Sequence, residues 1–90
     1  MAKKRSSIDI FADMLTSIEA NGGKIKPTHL MYKSNLSHTQ MKSYLEDLLK
    51  KDLIAKVKKE SYDYIIITDD GYRFCQKLKE MKEFERTFGL

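Results

Sequence analysis

Ninety residues suffice for one small domain, because a chain of this length buries only a little over ~60% of the surface its unfolded form exposes. Hydrophobic residues at 41% and charged residues at 33% exclude a disordered chain, and no apolar run approaches the ~18 residues of a membrane span. The net charge of +4, with a pI of about 9.2, favours a polyanionic partner.

In chain order, Ile8, Phe11, Ala12, Leu15 and Ile18 recur at steps of three and four over 7–20, which predicts a helix with that face inward. Asn21-Gly22-Gly23 ends it, since these residue types accept the left-handed backbone that stops a helix. Lys24-Ile25-Lys26 has room only for a scrap of extended chain. Pro27 suits the first turn of a second helix over 28–34, with Leu30 and Met31 available for burial. After the break at Ser34-Asn35-Leu36, Ser37 and Gln40 have the spacing of a capping box. A third helix therefore spans 37–51, with Met41, Tyr44, Leu45, Leu48 and Leu49 on one side.

Segments 53–57 and 64–67 read as two short strands joined by the polar tip Lys58-Lys59-Glu60-Ser61. Thr68 caps a fourth helix with Asp69 and Asp70 beside the positive end of its dipole, and Gly71 is tolerated in the first turn. From Tyr72 its apolar positions continue through Phe74, Leu78, Met81, Phe84 and Phe88 to Leu90. The fold class is thus α+β, with a three-helix core, a β-hairpin and a last helix over 68–90, the compact part being 7–71 within a single domain of 1–90.

That order of elements is the order of a winged helix-turn-helix, whose third helix enters the major groove and whose hairpin, the wing, touches the backbone. The chain resembles winged-helix transcription regulators in Leu36-Ser37, Met41, Leu45, Leu48 and Leu53-Ile54, and again in Tyr64, Thr68 and Gly71. More narrowly, Met31-Tyr-Lys-Ser-Asn-Leu-Ser37 and Ile67-Thr-Asp-Asp-Gly71 are similar to the small archaeal chromatin-associated winged-helix proteins of the Sulfolobus "ten-a" type. The resemblance implies pairing through the last helix, hence a homodimer with two DNA-binding ends, although here that helix is only about five turns long.

Charge placement agrees with this partner. Between positions 21 and 51 lie six lysines (24, 26, 33, 42, 50 and 51) against Glu46 and Asp47, so this stretch carries the whole net charge. With ~100° per residue and Leu45 inward, Thr39, Gln40, Ser43, Asp47 and Lys50 project outward. Thr39, Gln40 and Ser43 are the candidate base readers, since Gln bonds adenine bidentately and the Thr methyl meets thymine. His38 at the helix start, Lys42 on its flank, Lys26, Lys33, and Lys58, Lys59 and Tyr62 of the wing are candidate backbone contacts. Lys3, Lys4 and Arg5 read as a frayed terminus that gains phosphate contacts on binding. Glu46 and Asp47 oblige the helix to leave the groove after about two turns, and the absence of arginine from it points to modest sequence discrimination.

Leu78, Met81, Phe84 and Phe88 continue one apolar stripe beyond the reach of a single core and are the candidate dimer interface, flanked by Lys77, Lys82, Glu80, Glu83 and Glu85. The alternative is that the helix folds back over the first one. His29 and His38 have no partners at ligand spacing, so no metal is expected. Cys75 reads as packed rather than catalytic. With no phosphate loop, paired acid and base or nucleophile signature, an enzyme is not expected, nor a cofactor, and no small-molecule pocket is evident. The single cysteine suits a reducing interior, and the start Met1-Ala-Lys-Lys-Arg lacks the apolar core of a signal peptide, so a cytoplasmic, nucleoid-associated location is expected. The rival functional reading is a winged-helix protein-interaction module that does not touch DNA.

Overall fold

The computed structural model describes residues 6–89; Lys3, Lys4, Arg5 and Leu90 lie outside the described residues. Helix starts are satisfied by local side chains. Ser6 opens α1 (Ser7–Ala20) and Ser37 opens α3 (His38–Lys50), each as a reciprocal capping box, while the Thr68 hydroxyl accepts the Gly71 N–H to open α4 (Asp69–Thr87). Helix α2 (Pro27–Lys33) has no side-chain cap and starts on proline, which has no N–H to satisfy.

The ends of α1, α2 and α3 share one device. A left-handed residue, Gly22 (φ 81°), Asn35 (φ 55°) or Asp52 (φ 57°), turns the chain so that the next amide returns to the carbonyl five residues back. These bonds are Gly23 to Ile18 at 2.9 Å, Leu36 to Met31 at 3.1 Å and Leu53 to Leu48 at 3.1 Å. Leu36 and Leu53 are thereby pulled into the core, where both are buried.

Strands β1 (Lys24–Ile25), β2 (Ile54–Lys59) and β3 (Tyr62–Ile67) form an antiparallel sheet in the order β1-β3-β2. Residues 24–25, expected as a scrap of extended chain, are a paired strand: Ile25 faces Ile65, both buried, and the Ile67 N–H donates to the Gly23 carbonyl at 3.1 Å. The hairpin is also longer than expected. Lys58 and Lys59 lie inside β2 and not in the tip, facing Asp63 and Tyr62 of β3, and only Glu60 and Ser61 turn. Polar side chains do not end a strand that is open to water and has favourable partners opposite.

Helix α1 runs through the middle of the core, with Met14, Leu15 and Ile18 fully buried together with Leu30, Leu48 and Ile65. Its inward face differs from the expected one: Ile10 and Met14 are buried, whereas Ile8 is 55% exposed and Ala12 only half-buried. The helix is packed by the sheet, α2 and α4 together, so its buried arc is wide and centred on Met14 and Ile18, and Ile8 falls roughly a quarter-turn off that centre. Tyr44 closes the far side with an edge-on contact to Phe11, centroids 5.7 Å apart.

Only the first half of α4 belongs to this core. Cys75 is buried, Phe74 packs against the cluster, and Lys79 Nζ reaches Glu19 Oε1 of α1 at 3.3 Å. Residues 81–89 are exposed throughout, so the second half of the helix is not hidden against α1. The radius of gyration, 13.7 Å with extents of 48 × 31 × 22 Å, exceeds the roughly 12 Å of a compact chain this long. No helix among the described residues is long and apolar enough to cross a membrane.

The β3–α4 corner is fastened to the α3–β2 corner at one point. The Thr68 hydroxyl donates to the Asp52 carbonyl at 2.6 Å, and the Thr68 N–H donates to the Leu53 carbonyl at 3.1 Å. Gly71 lies directly over that second carbonyl: a Cβ there would meet Leu53 O at 2.2 Å and Ile67 Cγ1 at 2.6 Å. Gly71 is therefore required by close packing, where the sequence suggested only tolerance. Gly71→Ala is expected to cost about 3 kcal/mol despite the better helix propensity of alanine, lowering Tm by roughly 10–20 °C in a thermal melt.

Burial, and then the carboxylate of Glu19, push the Cys75 thiol above its ordinary value of 9.0, against smaller opposing effects from Lys79 and a hydrogen bond with Thr16. The unfolded thiol ionises first as pH rises. The stability this linkage supplies is thus complete below pH 9.0 and is lost as pH climbs through the folded value. Denaturant titrations should show Cys75→Ala losing less stability than the parent as pH rises above 9.0.

Candidate nucleic-acid interface

The outward face of α3 is set by its start. The Gln40 N–H donates to Ser37 Oγ at 3.2 Å and the Ser37 N–H donates to Gln40 Oε1 at 3.0 Å, which fixes the first turn. Met41, Leu45 and Leu48 then point into the core, leaving His38, Thr39, Gln40, Lys42 and Ser43 exposed on the first two turns. These candidates therefore share one solvent-facing surface that is uncharged apart from Lys42 and, when protonated, His38. Lys50 is exposed as expected, but Asp47 is half-buried and does not project freely.

Gln40 is already engaged through its carbonyl oxygen. That oxygen has a second lone pair and the amide nitrogen keeps both protons, so the side chain can cap the helix and still present an acceptor and a donor outward.

The wing presents its lysines on both sides. Successive residues of a strand face opposite ways, so Lys58 and Lys59 diverge, and Tyr62, opposite Lys59, is 55% exposed. Lys26, the residue before α2, lies with Nζ 4.3 Å from the Tyr62 ring centroid, and Lys24 with Nζ 4.8 Å from that of Tyr64. These stacks join the start of the helix-turn-helix to the wing by cation–π attraction. Lys33 is exposed in the last turn of α2. The Lys24–Tyr64 stack was not foreseen; its signal was the alternation of Lys-Ile-Lys and Tyr-Asp-Tyr, legible once the two segments are known to pair.

A further unforeseen feature is a cleft of about 200 Å³ between α2 and α3, walled by Pro27, Met31, Met41 and Leu45 and reached by His38 and Lys42. Among the described residues no group of three His, Cys, Asp or Glu is placed to hold a metal ion. Of the stripe on α4, Leu78 is half-buried, whereas Met81, Phe84 and Phe88 are 57%, 57% and 66% exposed, the two phenylalanine rings meeting at a tilt of 44° with centroids 4.8 Å apart.

Solved structures share this architecture. Sso10a-2, a DNA-binding protein from Sulfolobus solfataricus, superposes with a TM-score of 0.79 over 93% of this chain and 85% of its own, at 19% identity. A winged-helix DNA-binding protein from STIV gives a TM-score of 0.74 over 91% and 92% of the two chains, at 15% identity. MepR, a transcription regulator of the Staphylococcus aureus multidrug efflux pump MepA, gives 0.76 over 89% of this chain and 62% of its own, at 17% identity. At such identities the likeness establishes the fold, and the first of these structures belongs to the archaeal group that the sequence motifs resemble. No curated protein sequence matches the chain. The family model described as winged helix-turn-helix matches residues 4–86, and with helices, sheet and wing in the corresponding order the chain belongs to the winged helix-turn-helix family.

Proposed function

We propose that this chain binds double-stranded DNA as a homodimer, without enzymatic activity, and acts as a transcription regulator or chromatin-associated protein of the cytoplasm and nucleoid. The observation that carries the reading is the exposed, nearly uncharged start of α3 flanked by Lys42 and a lysine-bearing wing. Thr39, Gln40 and Ser43 face base edges, while His38, Lys42, Lys26, Lys33, Lys58, Lys59 and Tyr62 hold phosphates. Glu46, exposed in the third turn, limits insertion to the first two turns by repulsion from the backbone. The whole of 1–90 works as one domain, with α4 as the pairing element.

If about five lysines of each domain neutralise phosphates, log K should fall against log salt with a slope of about −4 to −5 per domain. Fluorescence anisotropy on a random duplex at several salt concentrations measures this, and an affinity indifferent to salt would refute it.

Positioning and readout separate by substitution. Lys58→Ala should weaken all duplexes about equally, whereas Gln40→Ala should cost ~1–3 kcal/mol on a preferred site and little elsewhere. Gln40→Glu keeps an acceptor for the Ser37 N–H and so should preserve the melting temperature while weakening every duplex by charge. A uniform loss in Gln40→Ala would mean that α3 does not discriminate bases.

Pairing through α4 is supported by the exposed stripe of Met81, Phe84 and Phe88, which recur at steps of three and four beyond the core. Phe88 lies ~20 Å along the helix from Phe74, too far for the same globule to cover. Sedimentation equilibrium at micromolar concentration should give twice the monomer mass of 10.5 kDa, and Phe84→Glu/Phe88→Glu should return it to the monomer.

A further inference from the structure

The sheet has an outer face on which Val57 and Tyr62 are exposed. Strand alternation sends Ile25, Ile65 and Ile67 into the core and turns Lys24, Val57, Lys59, Tyr62, Tyr64 and Ile66 the other way. The register sets Val57 beside Tyr64 and Lys59 beside Tyr62, and the Lys24 and Lys26 ammonium groups lie over the two tyrosine rings. Tyr62 is 55% exposed and Tyr64 half-buried. Asp63 faces away by the same alternation, opposite Lys58, and Glu60 lies in the turn. The described residues of this face thus combine two aromatic rings and three ammonium groups with no carboxylate between them.

We propose that this face is a platform for single-stranded nucleic acid, with bases stacked on Tyr62 and Tyr64 and phosphates held by Lys24, Lys26 and Lys59. Ring spacing decides between single strand and duplex. Two residues apart on one strand, the tyrosines project about 7 Å from each other, twice the ~3.4 Å between successive bases along a duplex strand. Only a strand whose bases have been drawn apart sets one base on each ring. Every base has a face that stacks, so recognition is tolerant of sequence. A base stacked on a tyrosine outweighs an exposed lysine on the same ring, which frees the two ammonium groups to follow the phosphates. The platform lies outside α3; Lys26, Lys59 and Tyr62 serve both this reading and the duplex one, whereas Lys24 and Tyr64 belong to the platform alone.

The test is titration of the full chain with an oligothymidylate at low salt, followed by tyrosine fluorescence, which no tryptophan obscures, and by anisotropy of the labelled strand. The parent should bind with quenching. Tyr62→Ala/Tyr64→Ala should lose roughly ten- to hundredfold in affinity for each ring removed, and Tyr62→Phe/Tyr64→Phe should stay within about threefold of the parent. Because Tyr64 is half-buried, Tyr62→Ala alone is the control that leaves the core intact; it should still lose at least about tenfold on the single strand. Lys42→Ala, on α3, should leave oligothymidylate binding unchanged. The proposal is overturned if the parent does not bind the oligothymidylate, if Tyr62→Ala binds it as tightly as the parent, or if Lys42→Ala lowers single-strand and duplex affinity by the same factor.

Discussion

Two carbonyls at the end of α3, those of Asp52 and Leu53, and one threonine at the start of α4 hold the working parts of this molecule in register. Asp52 turns left-handed and brings Leu53 into the core; Thr68 takes both carbonyls, one with its hydroxyl and one with its amide. The same hydroxyl accepts the Gly71 N–H and so starts α4. Helix α3, both strands of the hairpin and α4 all enter or leave at this knot. Each bond is worth only about 1 kcal/mol net, but together they leave no soft joint between the helix and the hairpin, so the separation of the two is a property of the fold and not of a linker. Glycine at position 71 is what allows α4 to close over the knot.

The proposed interface divides labour by charge. Bases are discriminated by neutral donors and acceptors at close range, and phosphates by ammonium groups whose attraction extends about a Debye length, ~10 Å at moderate salt. The exposed start of α3 carries the first kind and the wing and its neighbours the second. Half-burial of Asp47 softens the conflict between its carboxylate and a nearby backbone, leaving Glu46 as the exposed acid of that turn. Gln40, used by the helix as its own cap, would meet base edges in the proposed mode with one torsion already restrained, so less side-chain entropy would remain to be lost on contact.

Much of this was legible in the sequence where the physics is local. Helix starts at Ser37 and Thr68, the stop at Asn21-Gly22-Gly23 and the outward set Thr39, Gln40 and Ser43 follow from capping chemistry and a 3.6-residue period. What escaped depends on contacts between distant segments. Ile8 looked as apolar as Ile10, and only the packing of sheet, α2 and α4 around α1 selects between them. Residues 24–25 are too short to announce a strand; pairing with 65–66 makes them one. Lys58 and Lys59 read as a loop by polarity, although charged residues facing Asp63 and Tyr62 extend a ladder. Gly71 has an ordinary helical conformation, and its necessity exists only because the Leu53 carbonyl passes beneath it.

Strand alternation gives the hairpin more than one use. On β2, Lys58 and Lys59 are neighbours in sequence yet serve opposite sides, and the Tyr62–Tyr64 pair shares the side of Lys59 alone. A duplex that meets the wing at its edge neutralises lysines of both sides, whereas a strand lying on the outer face engages only the second set. The two modes therefore draw on one reservoir of charge, and occupation of either removes phosphate partners from the other. Since β1 brings Lys24 and Lys26 to the same surface directly before α2, an occupant of the outer face also pulls on the residue from which the helix-turn-helix begins. In such an arrangement exclusion between the two ligands needs no conformational switch: the same ammonium groups cannot hold two backbones at once.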